Sequence, residues 1–129
     1  RVAVLGLAFK KDTNDTRNSP SINIVRHLQE SRVKELCLYD PTAMESFKRE
    51  FPESNTVKYY KSEFEAVKEA DVIIIATDWP QFRGLADFII KELDKKTLLM
   101  DGRRMLASRY DDLQKAGFRI IAVGSPFIK

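Results

Sequence analysis

Asp71-Val72-Ile73-Ile74-Ile75-Ala76-Thr77 is the stretch on which the fold turns. Its four central residues are β-branched and show no alternation with polar ones. A strand-length run of that kind is the pattern of a strand buried on both faces of a parallel sheet. Val2 to Leu5, ending in Gly6, has the same character. Working outward, Glu35 to Tyr39, Val57 to Tyr60, Thr97 to Met100 and Phe118 to Val123 predict four further strands.

Helix signals fall between them. Ser19-Pro20-Ser21 supplies an N-cap and a proline at the first helical position, and Ile22, Val25 and Leu28 share a face behind it, with Ile24 beside them. Asp40-Pro41 reads as a second cap and first residue, opening a helix through Phe47. Ser62-Glu63-Phe64-Glu65 opens a third, with Phe64 and Val67 on its buried face. Asp78 to Gly84 is a loop, Leu85 to Leu93 a fourth helix, and Ser108 to Ala116 a fifth stopped by Gly117. Strands alternating with helices predict an α/β fold, a three-layer αβα, Rossmann-like, doubly wound parallel sheet of about six strands in the order 3-2-1-4-5-6.

The bulk properties narrow the function. A chain of 129 residues fits a single domain, 1–129, with a core of its own. The net charge of +3 is spread among mixed signs, and the basic residues cluster no further than short pairs such as Lys10-Lys11 and Arg103-Arg104. Such pairs suit a small anion; nucleic acid wants a basic patch or stripe. No apolar run approaches the length of a membrane helix and no signal-peptide pattern is present, so neither nucleic acid nor membrane is expected as a partner. The lone Cys37 sits mid-strand, where a buried inert thiol is expected, and excludes an internal disulfide framework. It fits a reducing, cytoplasmic location. His27 stands without clustered ligands, so no metal site is expected.

In such a sheet a ligand binds beyond the carboxyl ends of the strands, at the point where strand order reverses. The loops there are Leu7 to Ser19, Asp78 to Gly84 and, next to them, Gly102 to Ala107. They carry Phe9, Lys10, Lys11, Trp79, Phe82, Arg103 and Arg104. Lysine and arginine provide fixed positive charge for phosphate, and the helix start at Ser19-Pro20 adds backbone N–H groups and a positive dipole end. Phe9 and Trp79 offer apolar faces for a base or sugar, although a large aromatic before Pro80 is more often a packing anchor between loop and helix. Together these residues read as a nucleotide-phosphate site. After Gly6 come Leu7, Ala8, Phe9 and Lys10, without the second and third glycines of Gly-x-Gly-x-x-Gly, so NAD is not expected in this domain. Asp40 and Asp101, at strand ends, read as a helix cap and a structural partner, and Arg104 as a surface charge.

Val4-Leu5-Gly6-Leu7-Ala8-Phe9-Lys10, then Thr13, Asp15, Arg17, Ser19 and Pro20, resembles the opening of the C-terminal domain of UDP-glucose and GDP-mannose dehydrogenases. The likeness continues through Tyr39-Asp40-Pro41, Ala70-Asp71, Thr77-Asp78-Trp79-Pro80-x-Phe82, Asp101-Gly102-Arg103, Ala116-Gly117-Phe118 and Gly124, and so covers essentially the whole chain. That family oxidises the 6-hydroxymethyl group of a nucleotide sugar with two NAD, through a thioester on a catalytic cysteine. An N-terminal domain holds NAD, a central helix carries the dimer interface, and the C-terminal domain binds the nucleotide. The resemblance implies that Phe9 contacts the ribose end, Lys10 a diphosphate oxygen and Arg103 the sugar or phosphate, while Asp15 and Arg17 shape the loop. Trp79 completes the set of candidate binding residues.

The resemblance thus implies a UDP-sugar-binding domain of an NAD-dependent 6-dehydrogenase of the UDP-glucose to UDP-glucuronate type. Its partners would be a UDP-sugar and the N-terminal and central domains of a homo-oligomeric enzyme. The glycine fingerprint, the nucleophilic cysteine and the central helix are not in this sequence, which reads as an excised domain without dehydrogenase activity of its own. Asn18 and Asp78, where the family often has Glu, and Ser125, where it often has Arg, leave a UDP-N-acetylhexosamine or GDP-mannose enzyme as alternatives. A structural, interdomain role for the same module is a further reading. A receiver-type signalling module is disfavoured: Gly6-Leu7-Ala8 lacks the paired acids such a module needs, and Lys61 follows Tyr60 where it needs an acid after the third strand.

Overall fold

The computed structural model describes residues 1–8, 19–94 and 97–122. Six strands form one parallel sheet: β1 (Val2–Leu5), β2 (Leu36–Tyr39), β3 (Val57–Tyr59), β4 (Val72–Ile75), β5 (Leu98–Asp101) and β6 (Arg119–Ala122). Their order is β3-β2-β1-β4-β5-β6, as the alternation predicted, so chain direction across the sheet reverses between β1 and β4. The register sets Val4 beside Leu38 on one side and Ile74 on the other.

Because side chains alternate across a strand, the sheet has two apolar faces. Ala3, Leu5, Cys37, Ile73, Ile75, Leu99 and Ile120 face one way. They pack against α3 (Glu63–Val67), α4 (Leu85–Glu92) and α5 (Tyr110–Lys115). Val2, Val4, Leu36, Leu38 and Ile74 face the other way, against α1 (Pro20–Glu30) and α2 (Met44–Glu50) through Val25 and Phe47. Phe47 and Phe82 are completely buried; each contributes about 2–3 kcal/mol by leaving water. On this second face α1 and α2 lie over the β1 to β3 side. Met100 of β5 and Ile121 of β6 point the same way and are only half-buried.

Local chemistry sets the element ends. Ser19 Oγ accepts from the N–H of Ser21 at 3.2 Å, with Pro20 at the first position of α1. Ser62 Oγ accepts from the N–H of Glu65 at 3.1 Å to start α3. At the end of α5, Phe118 N–H bonds the carbonyl of Leu113 and Gly117 N–H that of Gln114, with Gly117 at φ +99°, the paired closure that a left-handed residue permits.

Three local expectations are corrected. Pro41 does not open α2: residues 41–43 form a turn held by Asp40, and the helix starts at Met44. Phe64 is exposed at 37%, and Glu63 takes the buried place beside it; Phe64 lies on the rim against the ring of Phe88, 4.9 Å away. The segment after β4 is not all loop, because Pro80–Gly84 winds as a 3-10 turn that runs straight into α4.

Candidate nucleotide site

The site is assembled where β1 and β4 part. Gly6 follows β1 at φ +95°, and a Cβ there would stand 2.4 Å from Cβ of Thr77 and 2.7 Å from its backbone nitrogen. Only glycine lets the two strand ends approach so closely. Around this contact the neck of the first loop is stitched shut. The carbonyl of Ala8 accepts from Ser19 Oγ at 3.3 Å and from Thr77 Oγ1 at 3.2 Å, and the carbonyl of Gly6 accepts from Ser21 Oγ at 2.6 Å. Phe9 and Lys10, the two principal binding candidates, lie outside the described residues, as do Lys11, Thr13, Asp15, Arg17 and Asn18.

Asp101 builds the neighbouring loop. Its carboxylate is fully buried and accepts the N–H groups of Met105 (2.9 Å) and Leu106 (2.8 Å) and the hydroxyl of Tyr110 (2.8 Å). The expected structural role of Asp101 is therefore observed. The turn so formed carries Arg104 at φ +55°, with its guanidinium 6.0 Å above the ring of Tyr110. Arg103 is partly exposed, and its Nη2 lies 3.7 Å from Oδ1 of Asp78, across from the loop after β4. Pairing with Asp78 was not legible in the sequence, although the opposite charges sit on two loops that the topology makes adjacent.

Arg103 also lines a cavity of about 330 Å³. Its walls are Ile74 and Ile75 of β4 with Ala76 just after it, Met100 of β5 with Gly102 just after it, Ile121 and Ala122 of β6, and Pro20 and Ile24 from the first turns of α1. An apolar cleft with one cation and a helix N-terminus beside it is the usual make-up of a small-molecule site.

Trp79 is placed elsewhere. It is 8% exposed, belongs to the core with Phe82 and Leu85, and donates its indole N–H to Oδ2 of Asp40 at 3.3 Å. Of the two readings open for it, packing anchor between loop and helix is the one this placement supports. Cys37 is buried and its thiol is pushed up to about 11, first by burial and then by Glu35, whose carboxylate accepts from it at 3.4 Å. That leaves an unreactive thiol. Among the described residues no cluster of His, Cys, Asp or Glu is arranged to hold a metal, and no helix is long and apolar enough to cross a membrane.

A doubly wound parallel sheet and an arginine on an apolar cleft beside a helix start are the features of a nucleotide-binding α/β domain. Residues 3–108 match the UDP binding domain of the UDP-glucose/GDP-mannose dehydrogenase family, and the chain belongs to that family. It is 36% identical over 126 residues to the UDP-glucose 6-dehydrogenase of Rhizobium meliloti, covering 98% of this chain and 28% of that protein. It is 33% identical over 130 residues to the UDP-glucose 6-dehydrogenase TuaD of Bacillus subtilis, covering 99% and 27%. Among solved structures, a UDP-glucose dehydrogenase from Pyrobaculum islandicum superposes with a TM-score of 0.69 at 33% identity, over 84% of this chain and 23% of that one. A UDP-D-ManNAc dehydrogenase from Pyrococcus horikoshii gives 0.69 at 34% identity, over 95% and 25%. The chain thus spans little more than a quarter of the length of the curated relatives it matches.

Proposed function

We propose that this domain clamps the nucleoside diphosphate of a UDP-sugar for a longer NAD-dependent nucleotide-sugar 6-dehydrogenase of the UDP-glucose to UDP-glucuronate type. The observation that carries this reading is Arg103, held by the Asp101 turn at an apolar cleft that also takes in the first turn of α1. Arg103 and Lys10 neutralise the diphosphate, Phe9 packs on the ribose end, and the N-terminus of α1 adds partial positive charge. The cleft walls shield the ligand from water, which strengthens each of these contacts. The domain touches the part of the substrate that does not react. Its binding energy holds the sugar in register with chemistry performed by residues outside this sequence.

NAD supplies hydride acceptance in this proposal, and it does not fit the first turn of this chain. Gly6 is used for contact with Thr77, and the N–H groups of Leu7 and Ala8 are already bonded to Asp40. Cofactor binding is therefore assigned to the remainder of the enzyme, along with the oligomer contacts. The similarity to a UDP-D-ManNAc dehydrogenase keeps a UDP-N-acetylhexosamine as the competing substrate.

Thermal unfolding of the chain with UDP, GDP or NAD, repeated for Lys10→Ala and Arg103→Ala, tests the proposal. A ligand at a hundred times its Kd adds about 2.7 kcal/mol. Stabilisation by UDP that both variants lose is the expected result. Equal stabilisation of wild type and both variants would remove Lys10 and Arg103 from the site.

A further inference from the structure

In a dinucleotide-binding turn, the backbone N–H groups just after the first strand face a pyrophosphate, and glycines allow its approach. The corresponding groups here point at a carboxylate. Oδ2 of Asp40 accepts from Leu7 N–H at 2.7 Å and Ala8 N–H at 3.2 Å. The same oxygen accepts the indole N–H of Trp79 at 3.3 Å, from the loop after β4. Oδ1 accepts from the N–H groups of Thr42 at 2.8 Å and Ala43 at 2.9 Å.

Asp40 is 0% exposed. A carboxylate taken out of water is tolerable when its lone pairs are filled, and five N–H donors from three segments fill them. Convergent backbone N–H groups of this kind are how proteins hold phosphate and other oxyanions. The buried Trp79 ring lies beside it, in the core formed with Tyr39 and Phe82.

We propose that Asp40 is a built-in anion: the chain fills the phosphate position of its own switch-point crevice, and Trp79 seals it. A dinucleotide is thereby excluded from the crevice. A nucleotide is left the outer rim, where Arg103 and the start of α1 stand. The proposal stands whether or not the ligand of that rim is UDP. It further implies that removing the carboxylate uncovers a receptor for a small oxyanion of the same shape.

Asp40→Gly removes the carboxylate with its methylene, and formate supplies a carboxylate of the same size. Unfolding temperatures of wild type and Asp40→Gly are compared in sodium formate and in sodium chloride of equal ionic strength. The expected result is a large loss of stability in chloride and partial recovery in formate, rising with formate concentration, in Asp40→Gly alone. Formate acting equally on both proteins, or on neither, overturns the proposal. Should Asp40→Gly not fold in either salt, hydrogen exchange on the wild-type chain decides. The Leu7 and Ala8 amides and the Trp79 indole are expected to exchange at least about a hundredfold more slowly than in an unstructured peptide, as buried, bonded N–H groups do. Exchange at peptide rates would show the crevice open. Stabilisation of the wild-type chain by NAD would overturn the proposal as well.

Discussion

Tyr110, the first residue of α5, donates its hydroxyl at 2.8 Å to the same carboxylate oxygen of Asp101 that caps the N–H of Leu106. A helix, a strand end and the loop between them are thus tied at one buried atom. Replacing Tyr110 by Phe keeps the ring and removes one donor to a buried charge, which costs about 1.5–3 kcal/mol. The loop bearing Arg103 is expected to loosen with it. Urea unfolding of Tyr110→Phe checks the magnitude, and a loss below about 0.5 kcal/mol would mean that the bond adds nothing beyond water.

Gly6→Ala is expected to be among the most damaging single changes in the chain. The new Cβ would have to share space with the backbone of Thr77, and alanine would have to hold φ +95°. Left-handed strain and overpacking each cost about 1–3 kcal/mol, so a loss of about 3 kcal/mol or more is expected in denaturant unfolding. A near-neutral result would contradict the close β1–β4 approach.

The opposite sign is expected at Arg32. It closes α1 at φ +59°, with its own N–H bonded to the carbonyl of Gln29 and that of Val33 to the carbonyl of Leu28. This is the position at which helices favour glycine. Arg32→Gly relieves a conformational cost of about 1–2 kcal/mol and adds about 0.5–1 kcal/mol of unfolded-chain entropy. A net stabilisation of about 0.5–1 kcal/mol is expected from thermal or urea unfolding.

Alkaline pH should destabilise the fold through groups whose acidity is suppressed in it. Burial, then Glu35, pushes Cys37 from its ordinary 9.0 up to about 11. Burial, then Cys37 and Glu35, pushes Tyr60 from 10.0 up to about 12. Burial also raises Tyr59 and Tyr110. Above the ordinary values the unfolded chain gives up these protons first, so it binds fewer than the native state and stability falls with pH. The contribution is complete below about pH 9 and is lost as pH rises through 11 and 12. Denaturant midpoints between pH 8 and 11 should decline, and Cys37→Ala should make the decline shallower. An unchanged slope in that variant would remove Cys37 from the effect.

The readings that succeeded rest on short-range physics. Val72 to Ile75 announces a doubly buried strand, Ser19-Pro20 a helix start, and Gly117 a helix stop, because each depends on a few neighbouring residues. Where a rule of that range met a tertiary competitor, it failed. Asp40-Pro41 has the letters of a helix start, yet the carboxylate is also drawn to Leu7 and Ala8, and a turn takes the place of the first helical residues. Phe64 has the helical spacing of a core residue. The buried place beside it instead goes to Glu63, which accepts from Gln81 at 3.2 Å.

The class of the fold, the order of its strands and the loops that can reach a ligand are legible in the order of the amino acids. Apolar periodicity, caps and right-handed crossovers leave few alternatives, and the motif string from Val4 to Gly124 named the family. What those loops do with their charges was settled by long-range packing. It turned Asp40 inward to the first loop, buried Trp79 against it, set Arg103 opposite Asp78 and brought Thr77 against Gly6. Apart from the ion pair, which lies part-way out in solvent, these are contacts of buried groups joining segments tens of residues apart. A buried charge takes whichever donors the closed sheet brings within hydrogen-bond reach of it, and no local pattern in the chain records which those will be.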